Sequence, residues 1–259
     1  MILLSFDIEE FDMPFEYGKE ISFNEQMKIS IEGSKIILDI LEKFNIKATF
    51  FSTATFAINA PDIISRIVKN GHEIGSHTYY HSDFKVEHLL QSRLKLEELT
   101  GQKISVFRMP RMHPVDENEV FTAGYTYNSS VNPTYLPGRY NNFHVSRTYF
   151  YQANVLQIPA SVTPIIRFPL FWLSFHNLPL WLYQLFCNWT VKTDKYLNIY
   201  FHPWEFTDLN QPEKFNFPSY VSKNSGRQMT NRLELFINWA KKKQYSFGTF
   251  TELIESIPK

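Results

Sequence analysis

With a single cysteine, Cys187, the chain cannot carry an internal disulfide framework, and the apolar stretch around Cys187 marks it as a buried thiol. There is no excess of charge: 26 Lys and Arg balance 26 Asp and Glu, and neither sign forms a long run. Nothing therefore draws the protein electrostatically to nucleic acid or anionic lipid, and no nucleic-acid partner is expected. A membrane-spanning run is also missing. The most apolar stretch, 165–189, is interrupted by Arg167, Pro169, His176, Asn177 and Pro179, short of the ~20 apolar residues a span requires. Two short amphipathic helices are expected there, with a peripheral membrane contact as the remaining lipid option. The opening run Met1-Ile-Leu-Leu-Ser-Phe has no basic leader and is cut short by Asp7. It reads as a strand rather than an export signal, so a cytoplasmic location is expected.

What is present is enough apolar material for a large core: 44% hydrophobic residues, 17% aromatic, over 259 positions. Short apolar strands alternate with helical patterns. Strands are expected at 2–6, 48–52, 73–75, 106–108, 197–201 and 246–249. Helices are expected at 33–44, 61–70, 86–100 and 230–243, two of them closed by Gly71 and Gly101. Repeated βα units imply parallel strands with right-handed crossovers, hence a barrel or a doubly wound sheet. No linker, repeat or low-complexity tract divides the chain, so residues 1–259 read as one domain.

In such folds chemistry gathers at the carboxyl ends of the strands, and the candidate residues fall there. His77 and His81 follow the third strand, and four-residue spacing lets two imidazoles reach one ion. His72 lies in the turn before that strand and reads as structural. Asp7 and Glu9 follow the first strand; a hydrolytic metal site needs one carboxylate as ligand and another free to take a proton from water. Glu10 and Asp12 read as solvated loop or helix-capping residues. Arg108 ends the fourth strand and suits a bidentate grip on a carboxylate, with a surface salt bridge as the bland alternative. His202 ends a later strand, before Pro203, Trp204 and Glu205, and suits a general acid. His88, His113, His144 and His176 have no comparable setting.

Together these segments resemble the polysaccharide deacetylases of carbohydrate esterase family 4, the group with the NodB-homology domain. The resemblance is to the branch whose first motif reads Asp-x-Glu. It rests on Ser5-Phe-Asp7-Ile-Glu9, Ser76-His77-Thr-Tyr-Tyr-His81 and Phe107-Arg108-Met-Pro110. It continues in Ala123-Gly-Tyr125-Thr-Tyr127-Asn-Ser129-Ser130, Leu156-Gln-Ile-Pro159 and Tyr200-Phe-His202-Pro-Trp-Glu205. The resemblance implies a single-domain distorted (β/α)7 barrel that hydrolyses the N-acetyl group of an amino sugar and releases acetate. It implies one divalent ion, zinc with cobalt or nickel as substitutes, held by Glu9, His77 and His81. Asp7 would be the base, Arg108 its orienting partner and His202 the acid that protonates the amine. Arg111, Tyr125 and Trp204 are expected to contact the sugar. Relatives in this branch often read Tyr-Asp-Ser-Ser where this chain has Tyr127-Asn128-Ser-Ser, so a carboxylate that could stabilise a positive His202 is replaced by an amide.

The leading expectation is thus an N-deacetylase acting on a glycan or its lipid-linked precursor. Hydrolysis of a cyclic amide, and glycan binding without catalysis, are the alternatives. The aromatic stretch from Phe168 to Trp189 either lines a sugar groove or caps one end of the barrel.

Overall fold

The computed structural model describes residues 1–257. Its strands are β1 (Ile2–Ile8), β2 (Thr49–Ser52), β3 (Glu73–Ser76), β4 (Val106–Phe107), β5 (Tyr127–Asn128) and β6 (Tyr135–Leu136). They continue as β7 (Tyr140–Asn141), β8 (Phe150–Gln152), β9 (Val155–Gln157), β10 (Leu197–Phe201) and β11 (Phe247–Gly248). The main sheet runs β10-β1-β2-β3-β4-β5-β9, and each neighbouring pair in it is parallel. These seven parallel strands are the expected distorted barrel. β8 lies antiparallel on the outer side of β9, β11 pairs with the start of β1, and β6 and β7 form a separate hairpin.

Among the described residues no strand ladder joins β9 to β10, and Asn198 of β10 closes that seam instead. Its amide donates to the carbonyls of Ile158 and Pro159 at 3.2 and 3.1 Å, and its own carbonyl accepts from Ser161 N at 2.8 Å. The seam satisfies backbone groups that a broken ladder would leave unpaired.

Strand alternation sorts the side chains. Ile2, Leu4, Phe6 and Ile8 of β1 face outward into the main core beneath the helices. Leu3 belongs instead to an inner cluster with Phe51, Val106, Leu156 and Ile158, which Phe250 and Leu253 join. The closing helix Phe250–Glu255 therefore plugs one end of the barrel. Ser5 and Asp7 share the inward side with Leu3 and continue toward the opposite end. Both faces of β1 are covered, as its unbroken burial shows.

The helix expected from residue 33 begins ten residues earlier: it spans Phe23–Phe44, with the Ser22 hydroxyl accepting from Glu25 N. Its first half hides from an apolar-spacing rule because its buried side includes Gln26, Ser30, Gly33 and Ser34. Small residues are needed there: a Cβ on Gly33 would lie 1.9 Å from Pro203 O. The stretch 165–189 contributes two helices, Trp172–Asn177 and Leu180–Asp194; the second is longer than expected. Among the described residues no helix is long and apolar enough to cross a membrane. Cys187 is buried in the second of these helices and unpaired, as expected.

Candidate active site and metal centre

The carboxyl ends of β1, β3, β4, β5 and β10 converge on one pocket. Glu9 Oε2 lies 3.1 Å from His77 Nε2 and 3.0 Å from His81 Nε2, with all three side chains almost wholly buried. His77 follows β3 directly, its main chain continuing the ladder by donating to Ser52 O. Its Nδ1 is 2.8 Å from Arg108 O, an atom that can only accept, so Nδ1 carries the proton and Nε2 turns a lone pair into the pocket. His81 is fixed similarly, its Nδ1 lying 2.8 Å from Asp12 Oδ1. Three acceptor atoms thus meet at one point, an arrangement that a cation resolves. Their spacing suits one: ligands at 2.0–2.1 Å from a tetrahedral zinc lie roughly 3.3 Å apart. Each ring nitrogen turned away from the pocket meets an acceptor, the usual support for a ligating histidine.

The electrostatics agree with that reading. Burial disfavours charge on His81, but Glu9 and Asp12 outweigh it and raise its pKa to about 10. Burial likewise opposes a charged Glu9, yet the facing imidazoles, His81 foremost, with His77 and His202, take it well below the usual carboxylate range. A pocket that attracts a proton this strongly attracts a metal ion for the same reason.

Asp7 stands beside this cluster and outside it. Arg108 Nη1 donates to Asp7 Oδ1 at 2.7 Å. The grip is not bidentate: the same Nη1 also donates to Ser5 Oγ, while Nε and Nη2 donate to Ser129 O and Oγ. Arg108 is fully buried, with its guanidinium 4.1 Å from the Phe51 ring centre, which excludes the bland reading as a surface salt bridge. Asp7 Oδ2 is left facing the pocket, 3.9 Å from His202 Nε2.

His202 follows β10 and caps the short turn Pro203–Phe206. Its backbone N–H donates to Glu205 Oε1 at 2.6 Å, and its Nδ1 lies 3.0 Å from the same oxygen. Trp204 stacks on the ring, centroids 4.6 Å apart and planes 16° from parallel. Burial lowers the His202 pKa, but the Glu205 hydrogen bond and the charges of Glu9, Glu205 and Asp7 raise it overall. Asn128, where the resemblance leads one to expect Asp, does not enter this system. It donates to Glu117 Oε1 at 2.8 Å and accepts from Ser130. Glu205 holds the charge beside His202 instead.

Several expectations change. Asp12 is no solvated loop residue: it is buried and accepts from His81, Ser82 and Arg111. Glu10 is buried too, accepting from Thr53 Oγ1 at 2.6 Å, and burial raises its pKa. Arg111 is committed to Asp12 at 3.1 Å and Glu16 at 2.6 Å, so its guanidinium braces the His81 support rather than waiting for sugar. Tyr125 is not at the site: it is fully buried against Phe107, and its hydroxyl donates to Leu89 O at 2.9 Å. Trp204 presents no open face, since it lies between His202 and Phe11, with its indole N–H 3.5 Å from Glu9 Oε1. Asp12 carried one usable signal, a fourth acidic residue directly after a strand; Glu205 carried another, a carboxylate three residues after a strand-end histidine. Of the Phe168 to Trp189 stretch, Trp172 reaches the site, edge-on to His202 at 5.7 Å.

Residues 21–118, which include His77, His81 and Arg108, match the family model described as polysaccharide deacetylase. Over 81 residues the chain is 31% identical to a Bacillus subtilis peptidoglycan-N-acetylmuramic acid deacetylase, covering 29% of this chain and 31% of that protein. In general the chain spans no more than about a third of the curated relatives it matches first. Among solved structures, a Mycobacterium smegmatis protein described as a candidate polysaccharide deacetylase superposes with TM-score 0.66 at 17% identity, covering 98% of this chain and 87% of that one. An allantoinase superposes with TM-score 0.64 at 18% identity, covering 97% and 87%. Both likenesses are of fold.

Proposed function

We propose that this chain is a polysaccharide deacetylase and that it removes the N-acetyl group from an amino sugar in a glycan or its lipid-linked precursor. The convergence of His77 Nε2, His81 Nε2 and Glu9 Oε2 on one point carries the reading. Zinc, with cobalt or nickel as substitutes, is the ion we assign to these three residues. Bound there, it supplies Lewis acidity that makes water a better nucleophile and polarises the acetyl carbonyl.

The remaining steps belong to the protein. Asp7 Oδ2 faces the pocket while Arg108 fixes Oδ1, so Asp7 takes the proton from the attacking water. The backbone N–H of Arg111 is the group we assign to the acetyl oxygen, in a turn set by left-handed φ values of 54° at Arg111 and 53° at Met112. His202 Nε2, across from Asp7, gives its proton to the departing amine. An amine expelled as its anion is a very poor leaving group, so this donation is needed for turnover. Loss of either Asp7 or His202 is expected to lower the rate by roughly 10²–10⁴. For a lipid-linked precursor, the exposed Ile165, Ile166, Trp181 and Leu185 are the apolar groups that a peripheral membrane contact would use.

The test is acetate release from a panel of N-acetylated glucosamine oligomers, with small cyclic amides in the same panel, before and after chelation. Acetate release that chelation abolishes and zinc restores supports the proposal. Turnover of the cyclic amides alone would move the assignment to amide-ring hydrolysis. Binding of the oligomers without acetate release, unchanged in Asp7→Asn, would make the protein a glycan binder. Failure to bind zinc at His77 and His81 would sink the proposal.

A further inference from the structure

Behind His202 lies a second buried imidazole that the reaction as described does not use. His176, from the helix Trp172–Asn177, has no exposed side-chain surface, and its Nε2 is 2.8 Å from Glu205 Oε2. The other oxygen of that carboxylate, Oε1, is the one that meets both the backbone N–H and Nδ1 of His202. Among the described residues His176 Nδ1 is buried without a hydrogen-bond partner. The ring proton therefore sits on Nε2, where it has an acceptor, and Nδ1 is bare. In this arrangement His176 Nε2 donates to Glu205 Oε2.

We propose that Glu205 and His176 are positioning residues for proton delivery by His202, with Glu205 setting its ring tautomer and His176 holding Glu205 in register. This rests on the deacetylase reading above. The His202 backbone N–H holds Glu205 Oε1 in place, so the ring cannot turn without losing its own contact to that oxygen. The proton it fixes on Nδ1 leaves Nε2 as the nitrogen that faces Asp7 and the reaction space. His176 meets Oε2, so Glu205 Oε1 is left to the Nδ1 side of His202. Trp172 packs edge-on to both histidines, 5.8 Å from His176 and 5.7 Å from His202, and keeps the three groups out of water. In this dry setting one carboxylate acts more strongly on a neighbouring imidazole than it would at a surface.

A leaving group separates this role from a merely structural one. A phenolate departs without a proton, whereas a sugar amine does not, so a defect in proton delivery falls on the amide and spares an aryl acetate. The zinc-loaded protein and its Glu205→Gln, Glu205→Asp, His176→Phe and His176→Gln variants are assayed on an N-acetylglucosamine oligomer and on 4-nitrophenyl acetate, with zinc content measured alongside. For Glu205→Gln the expected loss is about 10²-fold or more on the amide and less than about tenfold on the ester, at unchanged zinc. His176→Phe should show the same asymmetry with a smaller loss, and His176→Gln, which restores a donor, should recover part of it. Should Glu205→Gln fail to fold, the asymmetry in Glu205→Asp and the His176 pair decides. Parallel losses on amide and ester, or amide turnover within about twofold of the parent, would overturn the proposal. If the parent protein binds zinc but releases no acetate from the oligomer, the deacetylase reading fails first, and this inference falls with it.

Discussion

The Asp12 carboxylate stands 2.8 Å from Nδ1 of His81 and is itself held by the Ser82 hydroxyl and by Arg111 Nη2 at 3.1 Å. One oxygen thus serves both an imidazole that faces Glu9 and a guanidinium that reaches in from the loop after β4. Burial raises the Asp12 pKa, but these partners outweigh it and hold it below the usual value. Removing the acceptor should loosen the ring without removing a ligand. Asp12→Ala is expected to weaken zinc binding by about 10–100-fold. Competition against a chromophoric chelator measures this, and an unchanged affinity would dismiss Asp12 as a support.

Glu9 tests the ligand set directly. Its Oε2 already sits 3.0–3.1 Å from both ring nitrogens, so the longer side chain reaches the pocket without a bridging water. Glu9→Asp draws the carboxylate back by one methylene and should weaken zinc binding, and Glu9→Gln should weaken it further by removing the charge. Retention of full zinc affinity in Glu9→Gln would remove Glu9 from the ligand set.

Arg108 is a fully buried cation whose donors go to Asp7, Ser5 and Ser129. Arg108→Met would leave Asp7 with a buried charge and no partner, at a cost of about 3–5 kcal/mol. Urea unfolding measures that loss. Arg108→Lys keeps the charge but not the fork, so some stability should return while acetate release stays low.

His72 predicts a pH dependence of stability away from the metal pocket. Its Nδ1 accepts from Ala48 N at 3.3 Å, so protonating it would set one donor against another. Burial, with the nearby charges of Lys47 and Arg66, lowers its pKa to about 4. The unfolded chain takes up this proton near pH 6.5 and the folded chain only near 4, so the contribution is present above pH 6.5 and is lost as pH falls toward 4. Between pH 7 and 5 that amounts to roughly 2 kcal/mol. Urea unfolding at the two pH values should show a drop smaller by about this amount in His72→Asn, which keeps an acceptor but does not titrate. An equal drop in both proteins would refute it.

Gly33 couples the helix Phe23–Phe44 to the turn that follows His202. Gly33→Ala places a methyl group 1.9 Å from Pro203 O, backbone against side chain with no room to turn. A stability loss of about 1–3 kcal/mol is expected, together with lower kcat as the His202 turn shifts. Unfolding and acetate release measured on one preparation check both.

The sequence by itself determined which residues stand at the ends of the parallel strands. Alternation along β1 puts Ser5 and Asp7 on the inward side, and the β3 and β4 endings deliver His77 and Arg108, because local periodicity fixes side-chain direction. The helix Phe23–Phe44 was only half legible, since its contact side needed small residues rather than apolar ones. What the tertiary structure decided were the pairings across the chain. Asp12 meets His81 across 69 residues and His176 meets Glu205 across 29, and no periodicity encodes which distant polar group will be a neighbour. The same holds for Tyr125 and Trp204, whose aromatic rings suit a sugar face or a core equally well until burial assigns them. The Arg111 guanidinium was placed by tertiary structure too: Asp12 and Glu16 lie within its reach, and a half-buried guanidinium pairs with the fixed charges beside it.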